Sequence, residues 1–285
     1  MFDYMSSNSS RPKALSASST STWLQCPMKF RLVYIDGFRE PPSPATTRGT
    51  LVHRVLEDLY GLPAERRTSQ AARDLVQPAY SELFAGKEDF EAMFPQEALK
   101  TQWLNDAYAL VERYFTVENP QRLEPIAREQ LVDAPMRDGI LLRGFIDRVD
   151  KAPSGALRVV DYKTGRSPKP RYVEDKLFQM RFYALLLRCS GAGLPARTQL
   201  VFLADGKILT MDPTADSIDA FEHHLVAIWE QIENAIHTEH FSPKRQPLCN
   251  WCGVKHLCPL YSDDTPQMSA DGAQAMLTVK TRGER

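Results

Sequence analysis

No stretch of this 285-residue chain approaches the roughly 18 consecutive apolar residues that a membrane-spanning helix needs, and the opening MFDYMSSNSSRPKALSASS lacks the apolar core of a secretory leader. The expectation is a cytoplasmic protein with no membrane contact. Excess positive charge is missing too. The 35 Lys and Arg stand against 36 Asp and Glu, a formal net charge of −1, which excludes a protein that coats nucleic acid with uniform positive charge. Neither G-x-x-x-x-G-K-S/T nor G-x-G-x-x-G occurs, so the chain has no P-loop motor and no dinucleotide fingerprint. Internal repeats are absent as well.

Cysteine is sparse, with five residues in all, yet three of them crowd between positions 249 and 258. Thiols in the cytoplasm stay reduced, so this crowding reads as metal ligation sooner than as disulfides. CNWCGVKHLCP has C-x2-C-x5-C spacing, giving Cys249, Cys252 and Cys258 as three soft ligands. The fourth is expected to be Cys26, which, like Cys258, is followed by proline. Spacing alone leaves two kinds of centre open: an iron-sulfur cluster, or zinc with four cysteines or with His256 completing the set. Either would staple the two ends of the chain together. Cys189, in LLLRCSG, reads as a buried thiol.

The pattern along the chain predicts one domain over residues 16–261, with a disordered start at 1–15 and a disordered tail at 262–285 that is poor in large apolar groups. Two short helices are expected around Cys26. The PPSPATT segment reads as a linker into the helix RGTLVHRVLEDLYG, where Leu51, Val55, Leu56 and Leu59 form an apolar stripe. His53 and Glu57 share one side of that helix; Arg54 or another nearby arginine could pair Glu57. Helical patterning continues through about 62–120 as an insertion or lid. Strands follow at IAREQLVD, ILLRGFIDRVDK and LRVVDYKTG, then a helix from about Val173 to Arg188, a hairpin turning at Asp205-Gly206, and a long helix through FEHHLVAIWEQIENAI.

Chemistry concentrates on the two middle strands. RGFIDRVD supplies Asp147, and VVDYKTG supplies Asp161 and Lys163, which project from one face while Tyr162 points away. Two carboxylates beside a lysine suit Mg2+ or Mn2+ and phosphodiester hydrolysis: the carboxylates hold the ion, and the lysine orients water and offsets developing charge. Taken alone, an Asp-x-Lys at a strand end is an ordinary surface ion pair. Its position at the charged end of an apolar strand strengthens the functional reading.

In their order along the chain, these residues resemble the RecB-like branch of the PD-(D/E)XK nuclease superfamily, which includes the nuclease domains of RecB and AddB and the CRISPR-associated exonucleases. RGTLVHRVLEDLY resembles the first motif, with His53 as metal ligand; GFID resembles the second, with Asp147 as ligand; and DYKTG resembles the third, with Asp161 as ligand and Lys163 as catalytic lysine. Gln179 and Tyr183 in QMRFY match the helical Q-x-x-x-Y motif, are counted with the catalytic residues, and are expected to meet DNA. The resemblance implies an α/β fold, a restriction-endonuclease-like mixed sheet flanked by helices, with a helical insertion and an iron-sulfur segment joining the chain ends. It adds the backbone carbonyl of Tyr162 as a further metal ligand, leaves Glu129 as a weaker candidate, and implies a 4Fe-4S cluster on Cys26, Cys249, Cys252 and Cys258.

DNA contact is expected on the segment leaving the catalytic strand, where Arg166, Lys169, Arg171, Lys176 and Arg181 outnumber Glu174 and Asp175. Tyr172 and Phe178 are candidates for stacking on unpaired bases. The resulting expectation is a DNA exonuclease acting on single strands or ends in repair or recombination. Alternatives are a non-catalytic or helicase-partnered DNA-binding subunit, a nuclease of CRISPR adaptation, and, from the cysteines alone, an iron-sulfur redox protein.

Overall fold

The computed structural model describes residues 13–280. Five strands, β1 (Pro125–Pro135), β2 (Leu141–Lys151), β3 (Leu157–Lys163), β4 (Arg197–Phe202) and β5 (Lys207–Met211), lie side by side in chain order. All neighbours are antiparallel except β3 and β4, which are parallel. A parallel pair needs a crossover, and here it is the helix Val173–Cys189. The result is the α/β mixed sheet flanked by helices that the sequence predicts.

Among the described residues, eight more α-helices surround the sheet: α1 (Ala17–Gln25), α2 (Pro27–Phe30), α3 (Pro44–Gly61), α4 (Ser69–Leu83), α5 (Glu88–Glu91), α6 (Glu97–Val117), α8 (Ala215–His237) and α9 (Ala270–Leu277), with the crossover as α7. Alternation along β3 divides the core. Val159 packs with Trp23, Phe30, Phe182 and Trp229, on the side of α1, α2, α7 and α8. Val160 and Tyr162 pack with Leu51, Leu56, Trp103 and Tyr114, on the side of α3 and α6. The expected helical insertion at about 62–120 is thus α4 to α6, which extends the core around α3.

Local chemistry explains the boundaries. Ser16 and Ser19 form a capping box at the start of α1, and Pro27 occupies the first turn of α2, so Cys26 sits in extended backbone between two helices. PPSPATT is not only a linker: Ser43 and Thr46 cap each other reciprocally with Pro44 at the first helical position, so α3 begins within that segment. Asp205-Gly206 turns β4 into β5, with Gly206 at φ 65.

The expected disordered ends, 1–15 and 262–285, fall partly outside the described residues, and the parts that are described differ from the expectation. Residues 1–12 and 281–285 lie outside the described residues, but Leu15 is fully buried and bridges to Leu142. The carboxy-terminal segment is ordered through Lys280. Ser269 caps α9, whose Ala273 and Met276 are buried together with Val279, and Val279 accepts a hydrogen bond from Leu141. Small apolar groups suffice there because the segment lies against Arg31–Ile35: Ser269 N–H donates to Asp36 at 2.8 Å, and Arg31 reaches the Pro266 carbonyl. No helix among the described residues is long and apolar enough to cross a membrane.

Candidate active site

His53, Glu129, Asp147, Asp161 and Lys163 arrive from four elements, α3, β1, β2 and β3, and meet beside the peptide of Tyr162. His53 occupies the middle of α3, where its helix packs on the sheet. Its Nε2 lies 3.0 Å from the Tyr162 carbonyl, and its Nδ1 lies 3.3 Å from Asp147 Oδ2 and 3.5 Å from Glu129 Oε1. Asp147 Oδ2 also accepts the Tyr162 N–H at 2.7 Å. Both backbone polar groups of Tyr162, its N–H and its carbonyl, are therefore engaged by candidate ligands. Asp161 and Lys163 share a face of β3 as predicted, with Nζ 2.5 Å from Oδ2.

Burial sets the electrostatics. Asp161 is 2% exposed; desolvation, with the Asp147 charge nearby, pushes its carboxyl above the usual range despite Lys163. At Asp147 burial acts in the same direction, but His53, Lys163 and the Tyr162 N–H outweigh it and hold the carboxyl low. Burial would lower the His53 imidazole; Asp147 and Glu129 reverse this and hold it well above its ordinary value.

A divalent cation suits this donor set. His53, Glu129 and Asp147 offer ligand atoms all within 4.8 Å of one another. Asp161 Oδ2 is buried without a well-directed hydrogen bond, which leaves a lone pair for a ligand. Glu129, the weaker candidate by sequence, belongs to this group. It lies in a local irregularity of β1 at φ 39, a backbone conformation costing on the order of 1 kcal/mol for a non-glycine residue.

Gln179 and Tyr183 lie on one face of α7 as the spacing predicts, but their contacts are internal. Gln179 Nε2 donates to Asp161 Oδ1 at 2.9 Å and lies 3.1 Å from the Tyr183 hydroxyl. Tyr183 is 9% exposed, so it supports Gln179 from the interior and does not present itself to DNA. Gly144, in the GFID motif, makes room for it: a Cβ there would lie 2.9 Å from Leu186 Cδ2 and 3.3 Å from the Tyr183 ring.

Arg166, Lys169 and Arg171 are exposed on the segment between β3 and α7. Arg171 lies over the exposed Tyr172 ring, whereas Phe178 is packed on Phe221 and cannot stack on a base. Arg181 pairs with Glu174. Arg54 binds Asp58 and Glu82, not Glu57; Glu57 remains beside Glu129, and burial with that charge raises its carboxyl pKa.

Away from this site, Cys26, Cys249, Cys252 and Cys258 line a single concavity, joining residues from the two ends of the chain. His256 is exposed and does not line it. Cys189 is partly buried against the core.

A polar group that sequence reasoning missed lies behind the Tyr162 ring, where Arg148 is 1% exposed amid three tyrosines and two carboxylates. Its one sequence signal was Arg148 and Asp150 standing two apart in β2, on the same face of the strand with Val149 between them.

The PD-(D/E)XK nuclease superfamily model matches residues 14–259, and the chain belongs to that superfamily. The Gene 69 protein of Mycobacterium phage D29 is 25% identical over 287 aligned positions, covering 86% of this chain and 96% of that protein. A subunit of the ATP-dependent helicase/deoxyribonuclease of Streptococcus equi subsp. zooepidemicus strain MGCS10565 is 26% identical over 164 positions, which are 55% of this chain and 14% of that much longer protein. A crystal structure from Eubacterium rectale superposes with a TM-score of 0.47 and 14% identity, covering 84% of this chain and 86% of that one.

Proposed function

We propose that this nuclease is a metal-dependent DNA exonuclease that hydrolyses phosphodiester bonds of single strands or DNA ends, in repair or recombination. The observation carrying the proposal is the convergence of His53, Asp147 and the Tyr162 carbonyl beside the Asp161 and Lys163 pair. His53, Asp147, Asp161 and the Tyr162 carbonyl would hold Mg2+ or Mn2+, with Glu129 within reach. The bound ion would neutralise phosphoryl charge and lower the pKa of a water.

The remaining work falls to the chain itself. Lys163 Nζ orients the attacking water and faces the negative charge that grows on the phosphoryl oxygens. Gln179 fixes the Asp161 carboxylate, and Tyr183 backs Gln179. Arg166, Lys169 and Arg171 meet backbone phosphates, with Tyr172 available to stack on an unpaired base.

The four cysteines are proposed to hold a 4Fe-4S cluster. A single tetrahedral zinc with bonds of about 2.3 Å would need its sulfurs within about 4 Å of one another. Cys26, Cys249, Cys252 and Cys258 line one concavity, a four-thiolate donor set for which the motif resemblance favours the cluster. Thiolates that each bind a different iron can stand further apart. The placement of His256 outside the concavity also disfavours a zinc site of three cysteines and one histidine.

End-labelled single-stranded, duplex and circular DNA, incubated with Mn2+, separate the possibilities. Progressive loss of linear substrate with intact circles supports the exonuclease; cutting of circles would replace it with an endonuclease. Sequence similarity to part of a helicase/deoxyribonuclease favours a second reading, in which the same nuclease works beside a helicase. In that case degradation of duplex would require the partner while degradation of single strands would not.

A further inference from the structure

Resting on the proposed metal site, we infer that Arg148 is a positioning residue which, through the Tyr162 side chain, sets the geometry of the Tyr162 backbone, whose carbonyl faces His53 and whose N–H donates to Asp147.

The argument begins with Tyr162, which works in two directions. Its backbone carbonyl meets His53 Nε2 at 3.0 Å, and its N–H meets Asp147 Oδ2 at 2.7 Å. Its side chain, on the other face of β3, is 3% exposed, and its hydroxyl accepts a hydrogen bond from Arg148 Nη1. The same nitrogen reaches the Tyr60 hydroxyl at 2.7 Å and the Tyr114 hydroxyl at 3.2 Å. Nη2 donates to Glu118 at 2.9 and 3.0 Å, and Nε lies 3.0 Å from Asp150.

Those partners come from the elements that build the site. Tyr60 lies on α3, two turns beyond His53; Tyr114 lies on α6; Asp150 lies on the same strand as Asp147. One planar guanidinium therefore ties α3, α6, β2 and β3 together directly behind the candidate ligands. The Tyr60, Tyr114 and Tyr162 phenols have pKa values raised by burial, so they are neutral and can accept from the cation. Arg158 lies 2.6 Å from Asp150 and 3.1 Å from Glu118, balancing the two carboxylates.

A network placed only to stabilise the core would have no need to end on the residue whose backbone carbonyl and N–H meet His53 and Asp147. Lysine cannot replace Arg148 here, because a single ammonium on a flexible stem cannot reproduce a fork whose Nη1 faces the hydroxyls while Nη2 and Nε face the carboxylates.

Tyr162→Phe is the primary test, since it keeps the ring and the peptide and removes only the hydroxyl; Arg148→Lys keeps the charge and loses the fork. Mn2+ affinity is measured by titration calorimetry on the full chain well below the Tm, beside wild type and Lys163→Ala. The expected result is Mn2+ affinity about 10-fold weaker in both variants, the scale typical of groups that orient metal ligands. Nuclease kcat in Tyr162→Phe should be restored by saturating Mn2+, while Lys163→Ala binds Mn2+ normally and stays inactive. If both variants melt at lower temperature but bind Mn2+ as wild type does, the network is merely structural and the inference is wrong. If wild type itself fails to bind Mn2+, the metal-site reading fails first, and the inference falls with it.

Discussion

Gln179 Nε2 donates to Asp161 Oδ1 at 2.9 Å, so the helix following the third strand holds one of that strand's own carboxylates in place. Gln179→Leu should leave Asp161 buried with one fewer partner and less constrained in orientation, its ion pair with Lys163 remaining. The expected outcome is a 10- to 100-fold lower Mn2+ affinity or kcat, roughly the scale for losing a group that orients a metal ligand, with Tm changed little. Metal titration and single-turnover rates check it; wild-type values for both would show that the amide is incidental.

Gly144→Val places a branched side chain where even a Cβ is already 2.9 Å from Leu186 and 3.3 Å from the Tyr183 ring. Overpacking of this kind costs about 1–3 kcal/mol, and displacement of Tyr183 carries to Gln179. Thermal melts should show the destabilisation. Activity measured at a temperature where the variant is fully folded should also fall.

His53 titrates in the direction its carboxylate neighbours impose. Its pKa in the folded, metal-free protein is raised, so the imidazolium's contribution to stability is fully present below the unfolded value near 6.5 and is lost as pH rises through the higher folded value. Metal binding requires the neutral imidazole. Mn2+ affinity should therefore increase with pH above about 6.5, with net proton release seen in buffers of different ionisation enthalpy. Removing the imidazole in His53→Ala should flatten that pH dependence.

Cys252→Ser tests the staple between the chain ends. Anaerobically purified wild type should be brown, with broad absorption near ~400 nm, and the variant should be colourless and melt at a lower temperature because metal binding contributes folding free energy. Stoichiometric zinc without iron in the wild type would overturn the cluster.

Much of this site was legible because its residues report strand and helix periods. Asp161 and Lys163 fall two apart on a strand, and Gln179 and Tyr183 fall four apart on a helix, so each pair had to share a face. Side-chain direction in the third dimension was not legible. Tyr183 reads equally as a groove-facing or an interior residue until Gly144 opens a place for it, and Phe178 reads as a stacking platform until Phe221 covers it. Glu129 gained its place through an unusual backbone angle that no propensity signals. The tail was misread because it packs with Ala273, Met276 and Val279, groups too small and too few to show a pattern without the surface they cover.

The most direct measurement is the rate of end-labelled single-stranded DNA hydrolysis in Mn2+ by wild type, Asp161→Ala and Lys163→Ala, each first shown to be folded. Wild type should degrade the strand and lose activity with EDTA, and both variants should lose at least about 100-fold in rate, since removing one preorganised charge-stabilising group typically costs that much. Metal-dependent degradation at the wild-type rate by either variant would contradict the assignment of this site.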